Sequence, residues 1–183
     1  MEKIKTIFER NWEGNSGVVN KPIVTDFDGA VATEKLDGTN VRVTVRAHTA
    51  VRLEKRRNPD KVQKHKGIAE PWYVDASPYE AEDKWIYDAL KNTDLSNIPD
   101  GDWSGEAIGT NVQGNPLNLE KNVIVFFTLG QAPVFEDAPT TYEELKTWLP
   151  AQKSKYGNNT GIEGIVWHKD GKPFGKIKVK DFK

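Results

Sequence analysis

Lys35 lies in the run Thr33-Glu34-Lys35-Leu36-Asp37-Gly38-Thr39-Asn40, where an apolar stretch leads a lysine into a turn made of Asp, Gly and Thr. That setting presents an amine to a nucleotide phosphate, and the chemistry it suggests is covalent, with the lysine as nucleophile. Asp-Gly turns also connect ordinary hairpins and lysines crowd ordinary surfaces, so the run alone says little. Its weight comes from four segments further along the chain: Trp103-Ser104-Gly105-Glu106-Ala107-Ile108-Gly109, Asn122-Val123-Ile124-Val125-Phe126-Phe127, Ile162-Glu163-Gly164-Ile165-Val166 and Gly175-Lys176-Ile177-Lys178-Val179-Lys180. Glu106 has small neighbours that leave room for a ligand. Strand alternation sets Lys176, Lys178 and Lys180 on one face and turns Ile177 and Val179 toward a core, while Gly175 permits close approach. Only one of Phe126 and Phe127 can face a ligand, for the same reason.

The elements that must position these residues are legible in part. Val41, Val43 and Val45 alternate with Arg42, Thr44 and Arg46, the period of a strand with one buried face, and a second strand is expected over Ala50 to Leu53. Ser77-Pro78-Tyr79-Glu80 reads as a capping box opening a helix whose apolar stripe is Ala81, Trp85, Ile86, Ala89 and Leu90. Thr141-Tyr142-Glu143-Glu144 opens another, with Tyr142, Leu145 and Leu149 on one side and Pro150 closing it. Asp170-Gly171 joins Ile165 to His168 with Lys172 to Val179 as a hairpin. The fold class is α+β with largely antiparallel sheets.

Composition bounds the rest. The 183 residues fit one domain with a substantial core. No apolar run approaches a membrane span, and the start lacks the apolar stretch of a signal peptide. Cysteine is absent, which removes disulfides and thiolate metal sites and fits a cytoplasmic protein. His48, His65 and His168 show no metal-ligand spacing, and Asn158-Asn159-Thr160 reads as a plain loop. A net charge of −1 speaks against an overall basic nucleic-acid binder, yet Arg52 to Lys66 holds seven Lys or Arg against Glu54 and Asp60, a local basic groove or a solvated loop.

In their order the five segments resemble the collinear motifs of the covalent nucleotidyltransferases, the ATP-dependent ligases and mRNA capping enzymes. Thr39-Asn40, the stretch Gly109-x-x-Val112-Gln113-Gly114-Asn115 and Lys55-Arg56 resemble most the RNA ligases of the phage RNA ligase 2 type. DNA ligases usually carry arginine where Asn40 stands. The resemblance runs from Ala30 to Lys183 and implies the nucleotidyltransferase (ligase adenylation domain) fold, two packed, mainly antiparallel sheets with peripheral helices and a nucleotide cleft. It implies one domain over 1–183 with no C-terminal accessory domain.

The resemblance also assigns roles. Lys35 takes AMP from ATP as a lysyl-AMP, passes it to an RNA 5′-phosphate, and a 3′-hydroxyl then seals the strand, with Mg²⁺ or Mn²⁺ required, as in RNA repair. A lysine's reference pKa of about 10.4 lies roughly three units above neutrality, so cations, Lys176, Lys178 and the metal, are expected to favour the free amine. Lys176 and Lys178 are implied to hold the α-phosphate, Glu106 a ribose hydroxyl, Glu163 the metal, and Asn40 the ribose or the incoming end. Glu34 and Leu36 are implied to contact the nucleotide, Phe127 to stack on the base, and Arg56, with Arg57 in reserve, to meet phosphate or substrate. Thr128 departs from the family's Asp after that aromatic. RNA ends are the implied partners, helped by the basic segment around Arg56 or by a separate RNA-binding chain. A DNA ligase, an RNA guanylyltransferase and a noncatalytic nucleotide- or RNA-binding module are the alternatives, separated by which triphosphate labels the protein, which nicked duplex is sealed, and whether binding occurs without a covalent adduct.

Overall fold

The structure is a computed structural model describing residues 2–14 and 16–183. In chain order the described residues form β1 (Phe8–Arg10), β2 (Val18–Pro22), β3 (Val31–Lys35), β4 (Thr39–Arg46), β5 (Thr49–Arg57), α1 (Lys61–His65) and β6 (Trp72–Asp75). Next along the chain are α2 (Lys84–Lys91), β7 (Gly101–Ile108), β8 (Val123–Phe126), α3 (Tyr142–Ala151), β9 (Gly164–Lys169), β10 (Lys172–Lys178) and a 3-10 turn at Val179–Phe182. All strand pairs of the three sheets are antiparallel. The chain divides into two compact units, Met1–Lys3 with Asp37–Ala132 and Ile4–Leu36 with Pro133–Lys183.

The first unit holds a five-stranded sheet in the order β6-β5-β4-β7-β8. The alternation in β4 does what period two demands: Val41, Val43 and Val45 are completely buried and pack with Leu53, Ile86, Ala89, Ala107, Ile124 and Phe126. The polar residues of the same strands therefore share the other face. The β4–β5 hairpin turns through Ala47 and His48, both at positive φ, and β5 starts at Thr49 and runs on to Arg57, well past the expected Leu53.

The helix expected to open at Ser77 departs from expectation. Ser77–Asp83 forms turns, and α2 begins only at Lys84 behind the N-cap position Asp83. The cause is a charge. Lys55 Nζ on β5 lies 2.6 Å from Asp83, 2.7 Å from Glu82 and 3.5 Å from Glu80, and Asp83 also accepts from the Ser77 amide at 2.8 Å. Drawing three acids toward one ammonium winds the segment into turns and leaves Ala81 exposed, outside the stripe that Ile86 and Ala89 bury.

The second unit contains a three-stranded sheet, β10-β9-β3, and the β1–β2 ribbon. Its core joins Ile7, Phe8, Ala32, Leu145, Leu149, Ile165, Trp167 and Ile177. Tyr142 of α3 meets Phe8 edge to face at 5.4 Å, and Leu145 and Leu149 are fully buried, the side expected from the sequence. Pro150 stands within the final turn of α3. Asp170 and Gly171, at φ 50° and 74°, make the expected hairpin between β9 and β10. β10 stops at Lys178, however, and Val179–Phe182 coils because buried Asp181 accepts from the Lys178 amide at 2.9 Å and from Arg10 at 2.9 Å. Lys180 is thereby taken off the face it was expected to share with Lys176 and Lys178.

Candidate active site

Lys35 is the last residue of β3, and the register places it opposite Gly164, which pairs in turn with Lys178. Both lysines therefore flank one glycine in a single row of the sheet, and Thr33, Val166 and Lys176 form the next row. Glu163, just before β9, joins the pair: its Oε2 is 2.9 Å from Lys35 Nζ and its Oε1 is 3.5 Å from Lys178 Nζ. All three side chains are between 17% and 24% exposed, sheltered but open to a ligand. Two ammonium groups converging on one carboxylate describe a position equally fit for the oxygens of a phosphate. The glycine is required for this spacing, since a Cβ at position 164 would stand 2.1 Å from the Ile177 carbonyl oxygen.

Lys176 is half-buried in the neighbouring row and its backbone is fixed on both sides, donating to the Lys5 carbonyl at 2.9 Å and accepting from the Ile7 amide at 3.1 Å. Glu34 and Leu36, on either side of Lys35, are each only 4% exposed. Glu34 Oε2 accepts from the Lys155 amide at 3.1 Å, its buried Oε1 has no hydrogen-bond partner among the described residues, and burial pushes its carboxyl above the usual range. The Glu34 amide donates to the Pro133 carbonyl, so the peptide groups of residue 34 face the edge of β3 away from β9. On the same face as Lys35, His168 Nε2 lies 3.0 Å from Thr33 Oγ1, a contact that gives this histidine a structural partner.

In the five-stranded unit, Asn40 pairs with Glu106, Glu106 with Val125 and Arg56 with Tyr73, while Val41 opposite Lys55 puts Asn40 one step from Arg56. Tyr73, Arg56, Asn40 and Glu106 thus make one row across the polar face. Tyr73 organises it. Its hydroxyl donates to Asn40 Oδ1 at 2.6 Å and meets Ser104 Oγ at 2.9 Å, and Arg42 lies over its ring at 4.4 Å while gripping buried Glu54 at 2.6 and 2.8 Å. Burial pushes the Tyr73 phenol up, so it remains a donor at neutral pH. Phe126 is completely buried in the core, whereas Phe127, the first residue after β8, is half-buried and outside that cluster. Gly38 in the turn after Lys35 could not carry a side chain, because its Cβ would meet the Ala107 carbonyl oxygen at 2.0 Å.

The structure thus brings Lys35, Glu163 and Lys178 together in one unit and aligns Arg56, Asn40 and Glu106 in the other. Sequence reasoning missed Tyr73 and Ser104. Tyr73 sits in Trp72-Tyr73-Val74, an aromatic and β-branched run that reads as a short strand, but nothing local links it to Asn40. Among the described residues the one acidic cluster with metal-ligand proximity is Glu80, Glu82 and Asp83, and Lys55 already occupies its centre.

No protein-family model and no curated protein matches the chain. Among solved structures, two apo mutants of Naegleria gruberi RNA ligase match over 82% of this chain and 49% of theirs at 17% identity, with TM-scores of 0.50 and 0.51. The chain spans about half the length of the ligase chains it matches. Its strands and helices have the nucleotidyltransferase fold of RNA ligases.

Proposed function

We propose that this chain is the adenylation domain of an ATP-dependent RNA ligase, acting in the cytoplasm on RNA 5′-phosphate and 3′-hydroxyl ends. The observation that carries the reading is the convergence of Lys35 and Lys178 on Glu163 beside Lys176. Lys35 Nζ, freed of its proton, attacks the α-phosphorus of ATP; the N–P bond forms, the bond to the bridging oxygen breaks and pyrophosphate leaves with its electron pair. An RNA 5′-phosphate oxygen then displaces Lys35 to give an adenylated end, and a 3′-hydroxyl attacks that end, releasing AMP and a proton. Lys178 and Lys176 offset the charge that builds on the phosphate oxygens in each step.

The remaining residues have roles that fit their placement. Glu34 and Leu36 are buried, so what they offer a nucleotide is main chain: a carbonyl acceptor from Glu34 and an amide donor from Leu36 would match the exocyclic amine and N1 of adenine. Guanine reverses that pattern, which selects ATP. Tyr73 occupies Asn40 Oδ1 and leaves the Asn40 amide donors for the ribose or the incoming end. Glu106 accepts from a ribose hydroxyl, Arg56 meets phosphate, and Phe127, clear of the core, stacks on the base.

A divalent cation fits the donor set at Glu163. Magnesium and manganese take oxygen ligands and are commonly held by one or two carboxylates together with substrate phosphates, and Glu163 is the carboxylate in contact with Lys35. When bound, such an ion neutralises phosphate charge. Denaturing-gel detection of a covalent label from α-labelled ATP with magnesium tests the reading. An ATP-specific band absent from Lys35→Ala is expected. A GTP-specific band would make the chain a guanylyltransferase, and no band with either nucleotide, manganese included, would leave a binding module.

A further inference from the structure

The basic stretch Arg52 to Lys66 is sorted by the fold into two classes of charge. Arg52 and Lys55 are spent internally, on Glu54 and Asp75 and on Glu80, Glu82 and Asp83 respectively. Arg57, Lys61, Lys64 and Lys66 are exposed, and none of their side chains makes an ion pair among the described residues. The nearby acids do not answer them. Asp60 caps α1 by accepting from Gln63, Glu54 serves Arg42, and Glu70 accepts from the Lys3 amide at 3.0 Å. In a chain of net charge −1 this is a concentrated, unneutralised positive surface.

The surface is also held in shape. The capping box of Asp60 and Gln63 fixes the start of α1, and the Lys66 amide closes its end on the Val62 and Gln63 carbonyls. Lys61 and Lys64, three residues apart, therefore share a helix face. Arg57 opens the row beside a hollow of about 440 Å³ whose acidic lining, Glu82 and Asp83, is already engaged by Lys55. Arg57 also adjoins Arg56, placing the patch next to the row of Asn40 and Glu106 in the same unit.

We propose that Arg57, Lys61, Lys64 and Lys66 grip the phosphate backbone of an RNA strand whose end is being joined; the identity of the strand as RNA rests on the ligase reading. Charge complementarity and continuity with Arg56 favour this occupant. A membrane surface is the poorer fit, because α1 has five residues and is too short to lay an apolar face into lipid. None of these side chains packs in a core, so their removal leaves the fold intact.

The test is K61A/K64A/K66A, measured by anisotropy on a labelled, 5′-phosphorylated single-stranded RNA over a salt series, with ATP labelling and a thermal melt alongside. Each lost phosphate contact removes about 0.7 from the slope of log affinity against log salt, so the slope should flatten by about 2 and affinity at 0.1 M salt fall about 100-fold. ATP labelling and melting temperature should stay at wild-type values. Wild-type RNA affinity and slope in the variant would overturn the proposal, as would a wild-type protein that binds no RNA. So would loss of binding to phosphatidylserine-phosphatidylcholine vesicles with RNA binding intact, which would assign the patch to membrane. Failure of the ligase reading is separate: the wild type would then take no label from ATP, whatever the RNA titration shows.

Discussion

Gly164 carries no functional group, yet substitution there should be costly. It lies between Lys35 and Lys178, and a Cβ placed on it would stand 2.1 Å from the Ile177 carbonyl oxygen and 2.8 Å from Lys178 Cα. Both are backbone atoms of β10, so no side chain can rotate away, and ordinary contact begins near 3.4 Å. In Gly164→Ala the two strands must part by about 1 Å, a displacement that in a reacting site costs about 100-fold in rate. Overpacking of this kind costs about 1–3 kcal/mol, and at about 2–4 °C per kcal/mol the melting temperature falls by a few degrees to about 12 °C. The assay is single-turnover formation of the labelled protein at saturating ATP, below the melting transition of the variant. Gly161→Ala is the control, since its Cβ would meet nothing nearer than the Gln152 carbonyl oxygen at 3.8 Å. A Gly164→Ala protein that melts lower yet labels within about threefold of wild type would refute the claim that the spacing of β9 and β10 sets the chemistry, given the 100-fold expected.

Other outcomes rest on the same geometry. Glu163→Gln should raise the magnesium needed for half-maximal labelling about 10-fold or more, and an unchanged metal titration would remove Glu163 from the metal site. Lys55→Met strands the buried Asp83 carboxylate and should cost about 3–5 kcal/mol, part of it recovered by adding Asp83→Asn; additive melting shifts in the double variant would refute the coupling. Burial works against the Lys55 charge, but the hydrogen bonds it donates to Asp83 and Glu82 outweigh it and hold the ammonium up at about 12 against an ordinary 10.5. Its stabilisation is therefore complete below pH 10.5 and is lost as pH rises through 12, so the stability gap between wild type and Lys55→Met should close across that window. Tyr73→Phe removes the hydroxyl bonded to Asn40 and Ser104 and should cost about 1–2 kcal/mol in a thermal melt; an unshifted melt would show that the hydroxyl is not part of the network.

Some of this was readable along the chain because its cause is local. Strand alternation alone determines that Val41, Val43 and Val45 go inward and that Lys176 and Lys178 share a face, and Asp170-Gly171 supplies the two positive-φ residues its hairpin needs. Where a distant charge intervenes, local pattern fails. Ser77-Pro78-Tyr79-Glu80 has the composition of a helix start, yet Lys55 pulls Glu80, Glu82 and Asp83 into turns and delays the helix to Lys84. Asp181 and Arg10 likewise end β10 before Lys180, across 171 residues of sequence. The Ala47-His48 turn carries no glycine to announce it, and is imposed by the pairing of β4 with β5. The sequence by itself determined which residue types stand at strand ends and in what order. Only the tertiary structure decided that Glu163 lies between two ammonium groups, that Tyr73 holds Asn40, and that four of seven clustered cations make no ion pair among the described residues and stand outside the row of Asn40 and Glu106, because register and long-range charge pairing are properties of strands brought together, not of any one strand.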